Sequence, residues 1–346
     1  MNRTYSRPGL RVFSLLSVLC FGLYQCVAQT ETSSPIPKPN GQLIDLGGYK
    51  LHLDCRGKGS PTVVLSAGAG DFSFDWALVQ PEVAKFTRVC SYDRSGEAWS
   101  DLGPKPRTAH QEVYDLHRLL AAGGESGPYV VVGQSLGGMI ARIFATLYPK
   151  ETAGLVLVDS FHEDSQVGIN GKLVRIRTLA KDRPIPAPRP SVTAADGLDP
   201  DATKKIEDFI TQVVGKPKIG APFDKLPPDA QRDRVWALSQ PKHYAESENY
   251  MAEEAAQLHG ETVSIKYPLG GLPLIVLTRS RDEYPPDLAA VLSKEHREQQ
   301  ASLAKLSSIG KQTVVPNSGH HIQLDAPDGV VNAIKEMVTV RRVSAN

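Results

Sequence analysis

Charge of one sign is what this sequence lacks most plainly: 39 Lys and Arg stand against 38 Asp and Glu, a formal net charge of +1. With no basic excess to neutralise a run of phosphates, the composition excludes nucleic acid as a partner. Cysteine is scarce, with four residues at positions 20, 26, 55 and 90. Two of these fall in a segment that reads as a leader, which leaves too few thiols to build a metal cage. No metal or organic cofactor is implied. The N-terminal apolar run, Val12–Tyr24, holds thirteen residues, short of the roughly 20 that a membrane-spanning helix needs. There is no internal repeat and no heptad. With 41% hydrophobic and 22% charged residues, the chain is that of an ordinary folded protein.

What is present begins with that apolar run. Arg3, Arg7 and Arg11 precede it, and Cys26-Val27-Ala28 follows with the small residues a signal peptidase reads. Residues 1–28 therefore read as a secretory signal peptide, with an uncleaved anchor or acylation at Cys26 as the competing readings. Residues 29–42, rich in Ser, Thr and Pro, read as an extended linker. The expected localisation is export, periplasmic or secreted, with Cys55 and Cys90 as the thiols of the mature chain.

Beyond the linker, short β-branched runs alternate with amphipathic stretches. Leu51–Leu53, Thr62–Ser66, Thr87–Tyr92, Tyr129–Val132, Gly154–Val158, Leu274–Leu277 and Gln312–Val315 read as strands, most of them buried on both faces, as a parallel sheet requires. Between them, Thr108 caps a helix with Val113, Leu116, Leu119 and Leu120 on one face, ended by Gly123-Gly124. Met139, Ile140, Ile143, Phe144 and Leu147 mark a second helix, stopped by Pro149. The class is α/β. Residues 161–260 break the rhythm with Pro-rich stretches and a helical run, so they read as an insertion dividing a core of 43–160 and 261–346.

The sharpest local signal is Gly133-Gln134-Ser135-Leu136-Gly137, placed between the YVVV strand and a helix. G-x-S-x-G in that setting is a nucleophile elbow, in which the serine takes a strained backbone conformation and its neighbours two residues away must be nearly free of side chain. An acyl-transfer serine needs N–H donors aimed at the developing oxyanion. Leu136 at the helix start offers one, and Ala69, in the turn Ser66-Ala67-Gly68-Ala69-Gly70, the other, with Gly70 as substitute. That Gly-x-Gly does not make a dinucleotide turn, because Ser73 stands where a third glycine or alanine belongs. The base is expected late in the chain, where Asn317-Ser318-Gly319-His320-His321 follows a strand; His320 is the candidate and His321 its near rival. His162-Glu163-Asp164 imitates a metal site, but without a second spaced ligand pair it reads as a solvated loop.

Taken together, residues 43–340 resemble the α/β-hydrolase superfamily. The resemblance rests on the Ser66–Gly70 turn with Asp75-Trp76, Tyr92-Asp93-Arg94-Ser95-Gly96, the elbow, Leu155–Asp159, Pro273–Leu277 and Ser318-Gly319-His320. Two departures stand out: Ala67 replaces the histidine common in that turn, and Glu97-Ala98 replace the usual small or aromatic residues. The resemblance implies an α/β-hydrolase fold with a mostly parallel sheet, flanking helices and a helical cap formed by the insertion. It also implies a triad acid, for which Asp159, rigid at a strand end, is favoured over Asp282. Asp282 occupies the commoner position in the superfamily but sits beside Arg281 and Arg279. From the family's strand order, the Cys55 and Cys90 strands are neighbours, and export would favour their pairing.

The expected activity is hydrolysis of a carboxylic ester through an acyl-enzyme, by a serine esterase acting on a small-molecule ester or acyl substrate. No stable membrane insertion is expected once the signal is removed. Peptides, lactones and thioesters are open to the same triad, and a silent binding protein is the reading from a different class. Trp236, Tyr244 and Tyr250 are candidates to line the substrate side of the cap, or to pack the cap onto itself.

Overall fold

Runs of Val, Leu and Ile set the centre of the molecule. The computed structural model describes residues 36–169, 172–192, 200–245 and 250–345. The stretch read as a signal peptide, with Cys20 and Cys26, and the part of the stretch read as linker up to residue 35 lie outside them. Among the described residues ten strands follow one another: β1 (Gln42–Asp45), β2 (Lys50–Arg56), β3 (Thr62–Ser66), β4 (Val89–Tyr92), β5 (Tyr129–Gln134), β6 (Thr152–Val158), β7 (Gln166–Ile169), β8 (Lys172–Arg175), β9 (Leu274–Arg279) and β10 (Lys311–Val315). Eight form one sheet in the order β1-β2-β4-β3-β5-β6-β9-β10, antiparallel at β1/β2 and β2/β4 and parallel elsewhere.

Successive strand residues point to opposite faces. Val64, Val131, Leu155 and Leu157 therefore pack with Leu116, Leu119, Ile140 and Phe144 of the helices Ala109–Ala122 and Leu136–Leu147. Their neighbours Val63, Val130, Val132 and Val156 pack on the other side with Trp76, Val83, Ile334 and Met337. Thr108 caps the first helix, its side chain accepting from the Gln111 N–H at 3.0 Å. Because the parallel strands run one way, the residues after β3, β5, β6, β9 and β10 all emerge at the same edge of the sheet, where sites of such sheets lie.

Cys55 and Cys90 face each other across β2 and β4 and are joined as a disulfide. Gln42 pairs with Leu53, so β1 starts at the last residue of the stretch read as linker. Between β6 and β9 the chain leaves the sheet and forms the β7–β8 hairpin and the helices Pro200–Phe209, Pro228–Leu238 and Met251–Thr262. Two readings need correction. The insertion, expected to form a helical cap, also holds the β7–β8 hairpin, whose four-residue strands are too short and too little buried to stand out in the sequence. The boundary at 260 falls inside the helix Met251–Thr262, whose Leu258 is buried in the same core cluster as Leu119 and Phe144. Among the described residues no helix is long and apolar enough to cross a membrane.

His162-Glu163-Asp164 is also not a solvated loop. Glu163 is buried and holds Arg142 through two hydrogen bonds of 2.7 and 3.2 Å. His162 Nε2 meets Ser302 Oγ at 2.8 Å. The buried guanidinium of the helix Leu136–Leu147 requires that carboxylate, which the sequence does not reveal because the two lie on different elements.

Candidate active site

Ser135 stands where β5 turns into the helix Leu136–Leu147, with φ 51° and ψ −118°, a conformation that non-glycine residues rarely adopt. The turn is sharp enough that a Cβ on Gly133 would lie 2.1 Å from the Gly137 carbonyl oxygen, and one on Gly137 would lie 2.2 Å from that of Ser66. Both glycines are therefore demanded by close backbone approach. Leu136 is the first residue of its helix, so its N–H has no intrahelical acceptor and remains available beside Ser135.

The N–H expected as the second donor, that of Ala69, belongs to the turn after β3. Arg94, buried, forks onto the carbonyls of Ala67 and Gly68, both at 2.6 Å. The Gly68 carbonyl and the Ala69 N–H belong to one trans peptide unit and point in opposite directions, so the fork fixes the Ala69 N–H facing away from Arg94. Ala67 takes part through its carbonyl alone, and replacing histidine there leaves this arrangement intact. Ala69 and Leu136 line one cavity of about 280 Å³.

His320 lies in the loop after β10, and the Gln134 side chain, next to Ser135, donates to its carbonyl at 3.2 Å. Its main-chain N–H donates to Glu283 at 2.8 Å. A Cβ on Gly319 would fall 1.9 Å from that same carboxylate, so close approach to Glu283 is what the glycine permits. The positive φ of the loop is at Asn317, 57°.

The structure separates the two candidate acids. Asp159, φ 42°, is buried at the end of β6, and its Oδ2 lies 2.6 Å from His320 Nδ1. Asp282 is exposed, with its nearest cation Arg297 at 3.7 Å. The two arginines beside Asp282 in sequence are committed elsewhere: Arg281 to Asp325, and Arg279 to Asp159 itself, through its Nη1 at 2.8 Å and its main-chain N–H at 3.1 Å. His321, the rival candidate, turns to Asp71, 3.2 Å distant, and not to Asp159.

Asp159 has a further partner that sequence reasoning missed. His296, on the helix Pro286–Ala304, places Nε2 2.9 Å from Asp159 Oδ1. Burial alone would push this carboxyl up. Hydrogen bonds from His296 and His320, with the Arg279 charge, outweigh it and hold the group well below the usual carboxylate range. Only tertiary packing brings His296 to Asp159, and nothing around it in sequence marks it out.

A second Ser–His–Asp grouping exists but lacks a usable base. His52 Nδ1 lies 2.7 Å from Asp93 and 3.4 Å from Ser73 Oγ, while Nε2 is held by the Asn40 carbonyl. Both ring nitrogens are engaged. Trp236, Tyr244 and Tyr250, left open as lining the substrate side of the cap or packing the cap onto itself, do not line this cavity. Trp236 packs on Trp99 at 5.6 Å, the Tyr244 hydroxyl donates to the Leu238 carbonyl at 2.8 Å, and the Tyr250 ring lies 3.9 Å from the Arg183 guanidinium. From the inserted segment, His243, Met251 and Glu254 face the cavity instead.

Known proteins share this architecture. An esterase from Thermogutta terrifontis superposes with a TM-score of 0.55 at 21% identity, covering 85% of this chain and 94% of that one. An enol-lactonase from Burkholderia xenovorans gives 0.55 at 18% identity, covering 84% and 97%. At such identities the likeness is one of fold. Among curated proteins, the "Probable transporter efuK" of Hormonema carpetanum is 26% identical over 308 residues, which span 86% of this chain and 42% of that protein. The chain spans less than half the length of the first curated relatives it matches. The sequence pattern of the family described as "Alpha/beta hydrolase family" matches residues 63–333. That match runs from β3 through the elbow and the His320 loop into the last helix, and the chain belongs to the alpha/beta hydrolase family.

Proposed function

We propose that the protein is a serine hydrolase that cleaves a carboxylic ester through an acyl-enzyme. The observation that carries this reading is the hydrogen bond from His320 to the buried, ionised Asp159, on the same sheet edge as the strained Ser135. His320 takes the proton of the Ser135 hydroxyl as Oγ bonds to the ester carbonyl carbon. The N–H groups of Leu136 and Ala69 receive the oxyanion. Collapse of the tetrahedral adduct breaks the ester C–O bond, and His320 passes its proton to the departing alkoxide. Water then attacks the acyl group with His320 again as base, releasing the acid and restoring Ser135.

The inserted segment acts as a cap over the pocket, supported by His243, Met251 and Glu254 facing the cavity that Ala69 and Leu136 share. The protein works outside the reducing cytosol, a reading that the Cys55–Cys90 disulfide supports. The test is labelling with a fluorophosphonate probe. The wild type is expected to react at Ser135, and Ser135→Ala is expected to lose labelling and to fall on the order of 10⁶ in kcat. An unlabelled wild type, or equal labelling of the variant, overturns the reading.

A further inference from the structure

We infer that Glu97 and His243 form a recognition pair for a neutral, hydroxylated ester, an inference that rests on the serine-hydrolase reading above. Glu97 is one of the residues at which the sequence departs from the family resemblance, and the structure gives it a partner. Its carboxylate is buried at 5% exposure and lies 2.6 Å from Nδ1 of His243, in the short helical turn Pro241–Tyr244 of the inserted segment. The imidazole lies over the oxyanion turn, since a Cβ on Gly70 would meet its Cε1 at 3.8 Å. Both residues line the cavity shared by Ala69 and Leu136. Among the described residues, Nδ1 is the ring nitrogen with a protein partner, and Nε2 has none.

The chemistry of the pair follows from that geometry. With Nδ1–H donating to Glu97, the neutral ring offers a lone pair at Nε2, and the protonated ring offers an N–H. A hydroxyl group satisfies either state, because it both donates and accepts. The other polar groups of the cavity carry both signs. Arg94 and Arg107 stand against Glu112 and Glu254, with Arg107 3.6 Å from Glu97 and 3.5 Å from Glu112. With both signs present the cavity offers no single sign to select a charged substrate, whereas a hydroxyl, which donates and accepts, can pair with groups of either sign. An alkyl chain would strip water from these groups and return no hydrogen bond.

The experiment compares kcat/KM of the purified protein within two ester pairs. Methyl 3-hydroxybutyrate against methyl butyrate places the hydroxyl on the acyl side. Glycerol monoacetate against propyl acetate places it on the alcohol side. At least one pair is expected to favour the hydroxylated ester by about 10- to 100-fold, which also assigns the cavity to the acyl or the alcohol part. His243→Leu is expected to pull that ratio towards one, and His243→Gln, whose amide can donate and accept, to restore most of it.

Ratios near one in both pairs overturn the inference in the wild type alone, whether or not the variants fold. So does a His243→Leu variant that lowers both members of a pair equally, or a labelled enzyme that turns over none of the four esters. Fluorophosphonate labelling separates the two levels: Ser135 labelled without hydroxyl preference removes this inference only, whereas an unlabelled Ser135 removes the hydrolase reading beneath it.

Discussion

The sheet edge and the inserted segment hold their polar groups in opposite ways. Along the edge, Ser135 and Asp159 sit one residue beyond the last rungs of β5 and β6, and their main-chain N–H groups donate to the Val158 and Leu277 carbonyls at 3.2 and 2.8 Å, so the backbone fixes them. Asp159 then receives four hydrogen bonds, from His320, His296 and the side chain and main chain of Arg279. In the insertion, position depends on side-chain ion pairs that reach back to the core. Arg234 grips Asp71 at 3.1 Å and also Asp75, and its guanidinium lies 3.4 Å from the Phe223 ring. His243 grips Glu97. Asp75 is pushed up by burial and by the nearby Asp71 charge, against the pull of Arg234. The comparison teaches a division of labour: the groups proposed to react are held by the backbone, and those proposed to recognise substrate are held by pairing, which substitution can break one contact at a time.

The largest effect expected is at the edge. Asp159→Asn should lower kcat on the order of 10⁴ while the protein still folds, measured by steady-state turnover and circular dichroism. Near-normal turnover would remove Asp159 from the triad. Because its folded pKa is depressed, the ionised form is favoured by folding. Its contribution is complete above the unfolded carboxylate value of about 4 and lost only as pH falls below it. The pH profile of kcat/KM should accordingly show no ionisation belonging to Asp159 above about pH 4.

Next comes the anchor of the insertion. Arg234→Met leaves Asp71 and Asp75 without their guanidinium, and loss of one partner from a buried pair costs about 3–5 kcal/mol. Urea unfolding should show that loss, and an unchanged midpoint would mean that the insertion is held by apolar packing. A smaller effect is expected for His296→Leu. One Asp159 oxygen then keeps only the Arg279 N–H, so kcat should fall about tenfold. A loss as large as that of Asp159→Asn would place His296 in the same catalytic unit as the triad. Smallest of all is Asp282→Asn, exposed and weakly paired, which should change kcat less than about twofold; a larger drop would break the contrast between the two carboxylates.

Much of this was legible in residue order. Strands announced themselves because apolar β-branched runs buried on two faces have few other uses, and the elbow because Gly133, Ser135 and Gly137 must crowd within one turn. Asp159 and Asp282 could be ranked but not separated, since their difference lies in whether Arg279 and Arg281 turn inward or along the surface. His296, Arg142–Glu163 and Glu97–His243 were illegible for one reason. Each is a contact between residues far apart in the chain, whose partners are chosen by packing. Residue order alone determined seven of the sheet's eight strands, β1 being the exception, together with the strained serine and the loop that carries His320, because local backbone sterics and hydrophobic periodicity are sequence-local forces. Tertiary structure alone decided which carboxylate faces His320 and which imidazole faces the cavity, because burying a charge is tolerable only where distant groups converge to pair it.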